Sequence, residues 1–151
     1  MRKMYLVAAV LGMLAFDASA QDASAESAKV QKECEANYVQ EGSFFAGRKF
    51  TNWGVVPVSA ETALKRIKRE SVKAGLTFKS EDKDIGMLQF EQQTKGDKGM
   101  VTLPWNIMVE SQGKNSSKVS VTKLTPPTHN TSEKFQRAST CGVIEAALQA
   151  P

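Results

Sequence analysis

Apolar residues recur along this chain with two periods, near four and at two, and the switches between them mark its elements. Val30, Cys34 and Tyr38 fall four residues apart, which predicts a helix over 25–41 with Gly42 as its stop. Residues 44–58 are rich in aromatic and β-branched types but are broken by Gly47, Gly54 and Pro57. That predicts one strand over 48–56, at or near a sheet edge because proline cannot donate to a ladder. Ser59 then caps a helix reaching Ala74, with Glu61 where the positive end of the dipole favours a carboxylate. Ala60, Ala63, Leu64, Ile67, Ser71 and Ala74 share one face, and Gly75 ends the helix.

Beyond Gly75 the period drops to two. Leu76 and Phe78 start a strand, residues 80–84 turn, and 85–93 follow with Leu88 and Phe90 on one face. Gly86 and Met87 break that alternation, predicting a bulge or a late strand start. After a second turn at 95–99, Val101, Leu103, Trp105, Ile107 and Val109 make a long half-buried strand, in which Pro104 points to an edge or a bulge. Residues 112–117 turn, Val119 and Val121 open the last strand, and the Thr-Pro-Pro-Thr of 125–128 ends the sheet. The final helix spans 133–149 with Ser132 as cap and Phe135, Ala138, Cys141, Ile144 and Leu148 on its stripe, so Cys141 faces inward. Strands joined by short turns pair antiparallel. The fold class is therefore α+β, with helices on one face of an antiparallel sheet.

The first residues follow a different logic. Arg2 and Lys3 precede an apolar run of roughly a dozen residues, Tyr5 to Phe16, and then Asp17-Ala18-Ser19-Ala20. Positive segment, apolar run and small-x-small site are the parts of a secretory signal, with cleavage expected after Ala20. A spanning helix needs about 20 apolar residues, and this run is shorter. No Cys follows it to take a lipid anchor. The expectation is residues 1–20 as signal peptide and 21–151 as one exported domain, periplasmic or secreted, with 21–29 loose at its start. Charge changes little: the chain carries +4, and losing Arg2, Lys3 and Asp17 leaves +3, too mild a bias to indicate nucleic acid.

Export gives meaning to the cysteines. There are 2, Cys34 and Cys141, and in an oxidising compartment an even pair predicts a disulfide joining the start of the domain to its end. With one histidine and no C-x-x-C, a metal site or reactive thiol lacks supporting ligands.

One stretch has a recognisable shape. A capped helix with Ala63-Leu64 leads through Gly75 into an alternating strand, an Asp-bearing turn (Asp82, Asp84), then Gly86 with Leu88 and Phe90. This resembles the helix-grip domains of bacterial envelope proteins, the BamC-like group. The resemblance covers 48–149 and implies strand, helix, antiparallel strands, helix, in an envelope compartment. This chain differs in having no lipidated Cys and in adding an expected N-terminal helix and an expected disulfide.

Catalytic chemistry is hard to assemble from these residues. His129 sits in a polar loop beside prolines, expected to be exposed, and no G-x-S-x-G is present. Glu81, Asp82 and Asp84 cluster in a turn and Glu91 and Glu110 lie on strands, but turns favour Asp for backbone reasons. Neither a calcium loop nor a phosphate loop has the required spacing. No cofactor and no metal are expected, and the chain is not expected to be an enzyme. The uneven charge is on the second helix, where Lys65, Arg66, Lys68, Arg69 and Lys73 oppose Glu70. This is either a solvated helix face or a basic patch for an acidic partner. Trp105 falls on the core alternation, whereas Trp53 is a candidate contact residue. Two N-x-[ST] triplets, at Asn115 and Asn130, matter only in a eukaryotic secretory route. The leading expectation is a non-catalytic envelope binding or assembly module working through protein–protein contacts. A secreted inhibitor or immunity protein that blocks an enzyme is the alternative, and a carboxylate-based hydrolase comes third.

Overall fold

The computed structural model describes the backbone of residues 18–150 and the side chains of 22–150. Most of the expected leader, residues 1–17, lies outside the described residues. Among the described residues three helices and six strands follow in chain order: α1 (Ala18–Ala36), β1 (Val39–Ser43), β2 (Gly47–Val56), α2 (Ala60–Lys73), β3 (Thr77–Asp82), β4 (Met87–Gly96), β5 (Gly99–Ser111), β6 (Ser117–Thr125) and α3 (Glu133–Glu145), which runs on into a 3-10 turn, Ala146–Leu148. The strands form one antiparallel sheet in the order β1-β2-β6-β5-β4-β3. All neighbours are consecutive except β2 and β6, so α2 and three strands are inserted between these two partners.

Alternation decides which face is covered. Phe50, Asn52, Gly54 and Val56 of β2, Val119, Val121 and Lys123 of β6, and Leu103, Trp105, Ile107 and Val109 of β5 are all buried, while the residues between them are not. Val30 and Cys34 of α1, Ala63 and Ile67 of α2, and Cys141 and Ile144 of α3 join the same core. All three helices thus lie on one side of the sheet, as the α+β reading expects. Among the described residues no helix is long and apolar enough to cross a membrane.

Both predicted caps form: the Ser59 and Ser132 hydroxyls accept from the backbone N–H of Thr62 and Phe135. The predicted disulfide is also present, joining Cys34 on α1 to Cys141 on α3 across 107 residues of sequence. It lies over β2, where the buried Asn52 donates its Nδ2 to both sulfurs at 3.3 and 3.2 Å.

Four expectations need correction. The first helix stops at Ala36, not near Glu41, and residues 21–29 are helical within it. Tyr38 repeats the four-residue spacing because its ring stacks 6.3 Å from Phe50, not because it is helical. Val39–Ser43 is instead an edge strand exposed at every position, so it had no alternation to reveal it. Second, β3 runs to Asp82 through residues expected to turn, and its register shift falls between Phe78 and Ser80. Gly86 belongs to the turn and β4 starts at Met87, which is the late start expected as one of two outcomes there.

Third, Pro104 is on an interior strand, but the pairing of β5 with β6 begins only at Trp105. The first half of β5 has β4 as its single neighbour, and there a missing N–H is tolerated. Fourth, α3 is rotated relative to the predicted stripe. Phe135 is 58% exposed, and Gln136, Thr140 and Val143 are buried with Cys141 and Ile144. Two polar residues in the buried set turned a stripe drawn through apolar residues toward the wrong side.

One glycine is indispensable to the β3–β4 turn. Gly86 has φ +69, and a Cβ there would lie 2.2 Å from the Val109 carbonyl oxygen. Its own carbonyl accepts from Val109 N–H at 2.8 Å, fixing the turn against the end of β5. Gly86→Ala is expected to destabilise the domain by about 2 kcal/mol or more, read as a lower urea midpoint. An unchanged midpoint would refute this close approach.

Candidate functional site

The five cations singled out on α2 do not stand free. Lys65 pairs with Glu61 at 2.7 Å, one turn back on the same exposed face. That hydrogen bond holds the Glu61 carboxyl below its ordinary range and raises the Lys65 ammonium. Lys68 reaches Glu81 on β3 at 2.8 Å and lies over the Phe78 ring. Arg66 donates to the Ala147 carbonyl at 3.1 Å, and Arg69 donates to the carbonyls of Gln149 and Ala150 while pairing with Glu70. Lys73 also bonds Glu70, whose carboxyl is held low by hydrogen bonds from Lys73 and Arg69. Lys68 fastens α2 to β3, and Arg66 and Arg69 fasten it to the carbonyls following α3, which a helix C-terminus leaves unsatisfied, while Lys65 and Lys73 pair within α2. Their partners lie up to 81 residues away in sequence, so helix composition alone gave no sign of them.

The acidic residues are similarly engaged. Glu81 and Asp84 line a groove of about 670 Å³ between α2 and the β3–β4 turn, with Lys65, Lys68 and Glu110. Asp82 accepts from the backbone N–H of Asp84 and Ile85 and so shapes the turn, and Glu91 pairs with Lys79. His129 departs from expectation: it is half-buried, and its Nδ1 has no hydrogen-bond partner among the described residues. Burial, then Lys123 and Arg48, hold its imidazole below the usual range, which suits a neutral ring among cations.

Trp53 stands apart from these. It projects from β2 onto the sheet face that none of the described helices covers, with the Lys118 ammonium 5.0 Å from its ring. Register gives it company. Trp53 is opposite Ser120, Ser120 is opposite Met108, and Met108 is opposite Met87. Directly opposed residues of antiparallel strands share a face, so these four form one row across β2, β6, β5 and β4. The next row is Thr51, Thr122, Asn106 and Gln89, wholly polar. The open face thus carries an aromatic and methionine band, in which Met108 is 38% exposed, with Leu124 of β6 and Val39 of β1 as further exposed apolar residues. The band could not be read from sequence, because its members come from strands joined only by the register of the folded sheet.

Two features of the covered side were also missed. Lys123 is 1% exposed and has no carboxylate partner among the described residues; its Nζ lies 4.4 Å from the centroid of Trp105. Burial lowers its amine to about 8. Its position in the alternation Val119, Val121, Lys123, Thr125 marks it as inward-facing, a signal that sequence reading passed over. The second feature is a cleft of about 460 Å³ between α2 and α3, floored by Trp105.

The sequence matches no protein-family model and no curated protein. Among solved structures, a conserved protein of unknown function from Enterococcus faecalis is similar with a TM-score of 0.52 at 10% identity, over 81% of this chain and 80% of that one. This likeness shows the fold alone. Norcoclaurine synthase from Thalictrum flavum aligns over 95% of both chains at 10% identity, but its TM-score of 0.36 is too low to carry an argument.

Proposed function

We propose that this chain is an exported, non-catalytic binding module of the cell envelope, acting through protein–protein contacts made by the open face of its sheet. The observation that carries the reading is the Trp53–Ser120–Met108–Met87 row on a face left uncovered by the described helices. Aromatic residues and methionine are enriched in protein interfaces, and the polar rows beside them suit a rim. The leader pattern at residues 1–20 and the Cys34–Cys141 bond support export. The α2 cations contribute less than their number suggests, since each is paired within the domain.

The test uses the purified domain as bait for envelope extract. Trp53→Ala is expected to weaken capture of the retained protein by about 30-fold or more, the effect of losing an interface hot spot. Lys65→Ala with Lys73→Ala is expected to leave capture unchanged. The reverse pattern would place the contact on α2 and refute the sheet face. If the retained protein is an enzyme that binding inactivates, the module is an inhibitor and not an assembly component.

A further inference from the structure

We propose that the cleft between α2 and α3 is a second, independent binding site, for an uncharged and mainly apolar small molecule carrying a carbonyl or hydroxyl oxygen. The cleft holds about 460 Å³, within the range of ligand pockets, and lies on the side of the sheet away from Trp53. Its walls are apolar where Ala74, Leu76, Ala138, Val143 and Ala146 meet. Into these walls the sequence sets three polar groups that the fold leaves without partners: Trp105 Nε1, Ser71 Oγ and Gln92 Oε1.

Trp105 is 3% exposed and Ser71 is 2% exposed. A buried donor or acceptor without a partner is unfavourable by about 1–3 kcal/mol, so native interiors rarely keep them. Here three lie in the walls of one cleft. Alanine or valine at 71, leucine at 92 and phenylalanine at 105 would fill the same space without the loss. The orphaned groups also define the ligand. An indole N–H from β5 and a serine O–H from α2 in the lining of one cleft suit an oxygen acceptor, and the Gln92 side chain from β4 takes the ligand's opposite end.

Charge sets the remaining limit. Glu70 and Glu145 flank the cleft, and the cations nearest Glu70, Arg69 and Lys73, are committed to it. Burial, with a contribution from Glu35, raises the Glu145 carboxyl above its ordinary range. An anionic ligand would meet two acids, and among the described residues no lysine or arginine lines the cleft.

Prodan, a neutral naphthalene ketone with environment-sensitive emission, is a direct probe. It is expected to bind one equivalent with enhanced, blue-shifted emission and to quench Trp105 while sparing Trp53. Ser71→Val and Gln92→Leu should each weaken binding about tenfold, the usual effect of a lost hydrogen bond. Both changes make the cleft more apolar, so non-specific adsorption would be strengthened instead. Ala138→Trp, at an exposed wall position, should abolish binding without disturbing the core. 2-Naphthoate, an anion of similar shape, should bind at least tenfold more weakly than prodan. Unchanged affinity in Ala138→Trp, unchanged or tighter binding in both polar variants, preferred binding of the naphthoate, or no binding of prodan at all would each overturn the proposal.

Discussion

Replacing Cys34 and Cys141 together by serine is expected to lower the unfolding free energy by about 4–5 kcal/mol, the chain-entropy value for a closed loop of roughly 100 residues. The bond spans 107 residues, from the first helix to the last, so all the strand pairing of the sheet forms inside its loop. A domain of this size has about 5–15 kcal/mol in total, and the loss removes a large part of it. Serine is the informative replacement because its hydroxyl still offers Asn52 Nδ2 an acceptor in place of the two sulfurs. Urea unfolding of the double variant should coincide with that of the reduced native chain. Two titratable thiols in the folded, oxidised protein, or an unshifted urea midpoint, would contradict the prediction.

The second large effect concerns Lys123. Its amine is lowered from 10.5 to about 8 by burial alone. The folded state therefore releases this proton more readily than the unfolded one. Below about pH 8 the buried ammonium is charged and its desolvation opposes folding. As pH rises from about 8 to 10.5 the folded chain loses that charge first, the unfolded chain binds more protons, and stability rises. The displacement corresponds to about 3 kcal/mol. Lys123→Met keeps the volume and removes the charge, so it should be more stable than the native chain at pH 7 by about 1–3 kcal/mol. The advantage should vanish by about pH 10.5. Tyr38 complicates the absolute curve, because burial, then Glu133, raises its phenol and works in the opposite sense at high pH. The difference between the two proteins is therefore the quantity to measure, by urea unfolding across this range. A destabilised Lys123→Met at pH 7, or a difference independent of pH, would show that the contacts with Trp105 and Phe135 outweigh desolvation.

These effects trace back to what local pattern reveals. The three helices, five of the six strands and the disulfide followed from periodicity, caps and cysteine count, because each depends on near neighbours or on compartment. The strand β1 was missed because all five of its residues are exposed and carry no alternation. The rotation of α3 was missed because Gln136 and Thr140 occupy core positions that hydrophobicity assigns to Phe135. Site features fared differently. Lys65, Arg66, Lys68, Arg69 and Lys73 stood out by composition, yet their roles are set by Glu61, Glu70, Glu81 and the carbonyls after α3. Trp53 was legible as a candidate, but Met87 and Met108 join it only through strand register. Likewise Ser71, Gln92 and Trp105 lie on three elements and meet in one cleft only after folding.

The location of the contact surface is the claim on which the functional reading stands. Hydroxyl-radical footprinting reads it directly, because tryptophan and methionine are among the side chains most readily oxidised. The purified domain and the domain bound to its partner captured from envelope extract would be oxidised in parallel. Strong protection of Trp53 and Met108 in the bound state, with Phe135 on the helical side unchanged, is the predicted result. Protection around Lys65, Lys68 and Ile85, with Trp53 and Met108 oxidised equally in both states, would contradict it.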